Sequence, residues 1–201
     1  MQCSPFLIEF REKVQQLQGS VISAFRCGAE MKEWITALAG RLMTFFLRNV
    51  SIVRPVSEGG KLKLAADLAQ FEFALAPLFL GTGISAAELG KPYKALRAFR
   101  PLMFLETSQV TATHHRAGLD LIYVLHHLFV RASPELQLPH SRVTWTPLQY
   151  VQWLDTHTQD EAAAFVIKCL DAYAADVQKR GGKQYTPEYP LLRKLLTPDL
   201  Q

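Results

Sequence analysis

Apolar residues recur along most of this chain at steps of three and four positions, which is the period of an amphipathic α-helix. A first series predicts a helix that ends at Cys27-Gly28, since glycine takes a left-handed cap conformation without steric cost. A second series predicts a helix that ends at Arg54-Pro55, because proline disfavours helical backbone in the residue before it. The first series is Phe6, Phe10, Val14, Leu17, Val21 and Phe25, and the second is Ile35, Leu38, Leu42, Phe45 and Phe46.

The same period continues from Lys61 to Leu78, where alanines between the larger residues favour helix and allow a neighbouring helix to pack closely. Gly81-Thr82-Gly83 ends this segment. A shorter helix is predicted around Tyr93 to Phe99 and is interrupted at Pro101. No segment shows the sustained alternation of period two that a half-buried strand requires.

The run from Leu119 to Arg131 is largely apolar and predicts a buried helix, whereas residues 107–118 and 133–143 are expected to be irregular. The longest apolar stretch lies in this run, is 12 residues long, and contains Asp120 and two histidines. A membrane span needs about 20 apolar residues. The sequence therefore predicts no transmembrane helix.

Four further segments carry signals for the start of a helix. Ser85–Glu88 and Thr158–Glu161 have the spacing of a capping box, in which a hydroxyl and a carboxylate satisfy the first backbone amides. Thr146-Pro147 and Thr186-Pro187 each place a capping hydroxyl before a proline suited to the first helical position. Gly181-Gly182 is expected to end the helix that begins after Thr158.

Together these segments predict an all-α fold, an antiparallel bundle or rod of about eight helices joined by short connections. We expect two rod-like amphipathic helices over residues 1–56 and one continuous C-terminal helical bundle over residues 57–201.

Composition and charge narrow the class of protein. Of 201 residues, 49% are apolar (aromatics included) and 20% are charged, which excludes a disordered or low-complexity chain. The net charge is +4, and residues 1–100 hold 13 Lys or Arg against 8 Asp or Glu. This excess indicates an acidic partner or an anionic membrane, and it is too small for a nucleic-acid-binding surface. The odd, widely spaced cysteines Cys3, Cys27 and Cys169 favour a reducing compartment, and the first residues do not form a signal peptide.

The histidines are weak candidates for metal ligands. His114-His115 and His126-His127 are adjacent pairs, and neighbours on a helix point about 100° apart, so the two rings do not converge on one ion. Loop and helix-boundary residues explain them better. His140 and His157 stand alone in expected loops.

Catalytic motifs are also missing from the sequence. Gly59-Gly60-Lys61 is only faintly similar to a phosphate loop, because Leu62 follows the lysine and a predicted helix precedes it. A plain turn and an anion held by backbone amides both stay open there. With no nucleophile elbow and no paired carboxylates for acid–base work, we expect neither enzymatic activity nor a cofactor.

Basic residues recur at every third position of the helix predicted around Tyr93. Because a step of three residues drifts by about 60° around a helix, the four cations would cover half of its circumference. They fit an ordinary solvated face, or a contact with an acidic partner or with anionic lipid headgroups. The four are Lys91, Lys94, Arg97 and Arg100.

Three blocks of residues carry a resemblance to a known family. The first runs from Phe46 to Gln70, the second from Leu89 to Leu102, and the third from Trp145 to Pro190. In this order they resemble the C-terminal region of the family of the fifth subunit of the conserved oligomeric Golgi tethering complex. The most specific part is a motif that we call the turn motif: Arg54, Pro55, Glu58, Gly59, Gly60, Lys61 and Asp67.

The resemblance implies a helical scaffold and not a catalyst. Family members are cytosolic, peripheral Golgi proteins that assemble with the other subunits, chiefly the seventh, and support retrograde transport within the Golgi. Contacts with SNAREs and small GTPases would pass through the complex. Family members are several times longer and have an N-terminal coiled-coil region absent here, so we expect a fragment, a truncated gene model or a short isoform. The rival interpretation is a helical module that binds anionic membrane directly through its basic helix.

The charged residues of the turn motif suggest one more hypothesis. Arg54, Glu58, Lys61 and Asp67 would form a local charge network that fixes the turn between two helices. The alternative is that they belong to unrelated exposed faces, and burial of Asp67 against Arg54 would separate the two.

Overall fold

The computed structural model describes residues 4–25, 28–54, 57–182 and 184–197. All regular structure in these residues is helical, so the all-α prediction is confirmed, with nine α-helices where about eight were expected. The α-helices are α1 Pro5–Ser20, α2 Ala29–Ser51, α3 Glu58–Leu75, α4 Gly90–Leu102, α5 Leu121–Arg131, α6 Pro139–Arg142, α7 Pro147–Thr156, α8 Gln159–Lys179 and α9 Glu188–Leu196, with 3-10 helices at Ile22–Ala24, Ala76–Phe79 and Thr113–Arg116.

Contacts group the residues into two compact units. The first unit comprises Met1–Phe46 and Ser57–Arg100, and the second comprises Leu47–Val56 and Pro101–Gln201. The division predicted after residue 56 remains a prediction.

In the first unit, α1 packs against α3 and against the 3-10 helix Ala76–Phe79. Leu7 and Val14 of α1 and Phe71 of α3 are buried. The Phe71 ring stacks on two others, with centroids 5.0 Å from Phe10 and 4.0 Å from Phe46. Because burying one large apolar side chain contributes about 1.5–3 kcal/mol, the burial of Phe71 within this three-ring stack stabilises the unit.

In the second unit, α5 packs against α8 and α9, and every residue from Tyr123 to Val130 is buried. This confirms the buried helix predicted from the apolar run. Aromatic rings of α7, α8 and the preceding loop form a second cluster, in which Trp145 stacks on Phe165 at 5.6 Å and Trp153 lies 5.1 Å from the same ring. Tyr150, also in this cluster, is fully buried.

The first helix is shorter than its apolar period predicts. It ends at Ser20 and is followed by the 3-10 helix Ile22–Ala24. The Ser20 hydroxyl donates to the Gln16 carbonyl at 2.6 Å, and such local bonds compete with continued helix. The predicted stop at Cys27 lies outside the described residues.

Two irregular segments also hold short helical pieces. The 3-10 helix Thr113–Arg116 lies within 107–118, and the single turn α6 lies within 133–143. Pro101 falls inside the last turn of α4, one residue before its end, so the predicted interruption is the helix terminus.

The helix caps agree with local sequence in two cases and differ in two. Complete capping boxes form at Thr158–Glu161 and Thr146–Gln149. At Ser85–Glu88 the amide and hydroxyl bond the carboxylate at 2.6 and 2.8 Å, but turns follow and the next helix begins only at Gly90. Thr186 does not cap α9, whose N-cap is Pro187. The amide of Thr186 instead donates to the Tyr173 hydroxyl at 3.2 Å.

The backbone conformation of Thr144 gives a stability prediction. Thr144 has φ 59°, the left-handed region that β-branched residues avoid. Replacing it with glycine should raise the free energy of unfolding by about 0.5–1 kcal/mol, since glycine takes this conformation freely. Urea denaturation followed by far-ultraviolet circular dichroism measures the change.

The matched control is Ala112→Gly, at a position with φ −67°, where glycine should lower stability. Equal or lower stability of Thr144→Gly relative to the original chain would contradict the strain argument.

Candidate functional site

The turn motif begins α3 instead of forming a separate loop. The Ser57 hydroxyl accepts a hydrogen bond from the Gly60 amide at 3.1 Å, and the helix starts at Glu58. Lys61 donates to the Glu58 carboxylate at 2.6 Å, one turn away on the exposed surface. Gly59 and Gly60 therefore lie in the first helical turn. An exposed ion pair such as Lys61–Glu58 contributes a few tenths of a kcal/mol. Pro55 lies outside the described residues.

Asp67 is the buried member of the motif, with a side chain 3% exposed. Its two carboxylate oxygens accept hydrogen bonds from the Ser4 amide at 3.0 Å and the Ser4 hydroxyl at 2.6 Å. Ser4 is the N-cap of α1, so the carboxylate lies at the positive end of that helix dipole. Asp67 thereby joins α3 to the start of α1.

Arg54 has a different set of partners. Its guanidinium donates to the Leu136 carbonyl at 2.8 Å and to the Ala132 carbonyl just after α5. The pKa of Arg54 is lowered, because the effect of burial is larger than the opposing effect of the Glu188 carboxylate. The predicted network of four charges is therefore wrong, since Asp67 bonds Ser4, Arg54 bonds two carbonyls, and only Glu58 and Lys61 pair with each other.

The second unit contains a buried hydrogen-bond chain that the sequence analysis did not predict. The His126 ring nitrogens lie 2.9 Å from the Ser51 hydroxyl and 2.9 Å from the Tyr150 hydroxyl. Burial lowers the pKa of His126 to about 3, so the ring is neutral at physiological pH. Burial also raises the pKa of Tyr150.

The hydrogen-bond chain from Ser51 through His126 to Tyr150 lies in the interior of the second unit, because the histidine and the tyrosine are both fully buried. The expectation of loop or boundary histidines is wrong for His126 and His127, which lie buried within α5, and for His140, which is buried in α6. The signal was available for the first two, since they fall inside the apolar run that predicts α5. Among the described residues, no three His, Cys, Asp or Glu side chains are grouped to hold a metal ion.

The four basic residues of α4 divide into two kinds. Lys91 and Lys94 extend from its exposed side. Arg97 donates to the Tyr93 hydroxyl at 3.3 Å, and Arg100 lies 3.8 Å from the Glu72 carboxylate of α3.

Tyr93 links these groups, because its hydroxyl donates to Glu72 at 2.5 Å, which raises the pKa of the phenol. The phenol of Tyr93 and the guanidinium of Arg100 thus attach α4 to α3, and Arg97 bonds that phenol from within α4. None of the helices in the described part of the chain is both long and apolar enough to cross a bilayer.

Comparison with known proteins gives consistent matches to one protein. The chain is 36% identical over 198 residues to conserved oligomeric Golgi complex subunit 5 of Mus musculus, covering 96% of this chain and 23% of that relative. It is 38% identical to the Arabidopsis thaliana subunit 5 over 94% of this chain and 23% of the relative. The Drosophila melanogaster subunit 5 is 33% identical, with 94% and 25% covered.

The chain thus spans about a quarter of the length of these curated relatives and corresponds to their C-terminal part. No protein-family model matches the chain, and no solved structure matches it significantly.

The Asp67–Ser4 contact gives a stability prediction. Asp67→Ala leaves the buried Ser4 amide and hydroxyl without their acceptors, so the free energy of unfolding should fall by about 1–3 kcal/mol. Asp67→Asn, which keeps one acceptor oxygen, should lose less. Thermal melts of the two variants, together with Ser4→Ala and the double variant, measure the coupling. An unchanged melting curve for Asp67→Ala would show that the contact does not stabilise the unit.

The membrane interpretation of α4 makes its own prediction. The double variant Lys91→Glu, Lys94→Glu should show less flotation with phosphatidylserine-containing vesicles. Each cation near an anionic membrane surface contributes about 1 kcal/mol of binding free energy. The matched control is Lys168→Glu with Lys194→Glu, which makes the same charge change at two exposed lysines of the second unit. Equal flotation of both double variants and the original chain would eliminate this interpretation.

Proposed function

Because this chain is homologous to the C-terminal part of conserved oligomeric Golgi complex subunit 5, we propose that it is a structural segment of a Golgi tethering complex. In this role it supports retrograde vesicle transport within the Golgi through protein–protein contacts. The observation that carries the proposal is the agreement of three relatives, from a mammal, a plant and an insect, along almost the whole chain.

The structure supports a scaffold role in its use of polar groups. The buried hydroxyl, imidazole and phenol of the second unit bond one another, and the buried carboxylate of Asp67 bonds a helix start. These groups stabilise the fold. The surface, in contrast, offers exposed lysines on α4 and large apolar side chains of α3 that are more than half exposed, such as Phe73 and Leu62. Such side chains on helices are typical anchors for another helix.

The partners follow from the same proposal. We infer that the segment contacts other subunits of the complex, chiefly the seventh, and that SNAREs and small GTPases are reached through the assembled complex. Its place is the cytosolic face of Golgi membranes, where it is held peripherally by those contacts.

Co-purification tests this function. The affinity-tagged chain is expressed together with the seventh subunit, or mixed with extract containing the whole complex, and retained proteins are identified by mass spectrometry. We expect the seventh subunit, or the complex that contains it, to be retained. Asp67→Asn, altered in an internal contact and not on the surface, is the control and should retain the same proteins at a temperature below its melting point.

Absence of every complex subunit from the retained fraction, while circular dichroism shows the chain to be folded, would refute the proposal.

A further inference from the structure

A small cleft lies between α1 and α3 on the first unit. Its volume is about 70 Å³, several times the 10–15 Å³ or so that one water molecule needs. Six residues line it, three from each helix: Leu7, Ile8, Arg11, Gln70, Phe73 and Ala74.

The apolar part of this α1–α3 cleft has a floor and two raised edges. Leu7 and Ala74 are each 2% exposed and form the floor. Ile8 is 46% exposed and Phe73 is 69% exposed, so both stand out from the surface. Covering the exposed apolar area of these two side chains with a further apolar side chain is favourable, because it removes that area from water.

The polar part of the cleft consists of two exposed side chains, Arg11 and Gln70. Among the described residues, neither forms a hydrogen bond or an ion pair, although Glu9 and Glu12 lie near Arg11 in sequence. A guanidinium beside apolar surface recognises a carboxylate well, because its planar donors match both oxygens. Arg11 is the one charged side chain among the six that line the cleft, so the cleft offers a cation to a carboxylate of a ligand.

The spacing of the lining residues indicates the shape of that ligand. On α1 the apolar Leu7 and the cation Arg11 are four residues apart, and on α3 Gln70 and Ala74 are four apart. Each wall thus extends along its helix for about one turn, or 5.4 Å. A helix lying in such a groove presents side chains three or four positions apart to it.

We infer that the α1–α3 cleft binds an acidic amphipathic helix of a partner protein, through one large apolar side chain and one carboxylate a helical turn apart. The apolar side chain covers Leu7 and Ala74 between Ile8 and Phe73, and the carboxylate pairs with Arg11. This inference rests on the proposed function, in which the chain acts through protein contacts, and it specifies one surface and the chemistry of its partner.

The test uses defined peptides and the 201-residue chain, so its outcome is independent of whether any complex subunit co-purifies. The probe is an alanine-rich helical peptide of about 20 residues, long enough to be helical in water, with Leu and Glu four positions apart on one face. A second peptide differs only in Gln for that Glu. Amide chemical shifts of the ¹⁵N-labelled chain are followed as each peptide is added.

We expect saturable shifts at Leu7, Ile8, Gln70 and Ala74, with the Gln peptide binding roughly two- to fivefold more weakly, as for an exposed ion pair. Arg11→Gln should remove the difference between the peptides. Lys13→Gln, which neutralises an exposed cation of the same helix outside the cleft, should preserve it. Phe73→Ser should weaken both peptides, and its high exposure makes the fold tolerant of the change.

Three kinds of result would overturn the inference. The first is a wrong site or a lack of charge dependence, seen as shifts outside the cleft or as equal binding of the two peptides. The second is larger shifts at the same residues with phosphatidylserine vesicles than with the Glu peptide, which would make the cleft a lipid site. The third is the same shifts on concentrating the chain alone, which would assign the cleft to a second copy.

Discussion

Backbone groups at the ends of buried helices need hydrogen-bond partners, because an unpaired buried donor or acceptor costs about 1–3 kcal/mol. In this chain, side chains from distant positions supply several of them. Asp67 bonds the start of α1, Arg54 bonds the carbonyls that follow α5, and Arg131 donates to the Leu102 and Met103 carbonyls at 3.3 and 3.1 Å at the end of α4. These contacts satisfy backbone groups at the helix ends and tie those ends to side chains distant in sequence.

The same contacts explain how far sequence alone could go. Period and caps are local, so the helices and the box at Thr158–Glu161 follow from residues within a few positions of one another. The partner of Asp67 is 63 residues away, and that of His126 in α2 is 75 away, so no local pattern contains them. The sequence analysis offered Arg54 as a partner for Asp67, and the structure gives Ser4 instead. The cleft was beyond reach as well, since it depends on two helices meeting.

The relatives and the structure give different kinds of information about this protein. The relatives are named as subunits of one Golgi complex, and the chain matches about a quarter of their length. The structure adds where the chain has surface to offer: the lysines of α4 and the α1–α3 cleft lie in the first unit, whereas the buried polar chain around His126 lies in the second. Within the first unit, the exposed Lys94 and Phe73 are separate from the buried contact of Asp67 with Ser4, so a variant can alter that surface without removing the contact.

The positions of the aromatic residues make the two units separately observable. Of the three tryptophans, Trp145 and Trp153 lie in the ring cluster of the second unit, while Trp34, 48% exposed, lies in the first. Trp145 and Trp153 are partly buried against that cluster, so their intrinsic emission is less accessible to solvent quenchers than that of the exposed Trp34. Iodide quenching during unfolding can therefore show whether the units lose structure together or in succession, without an added dye.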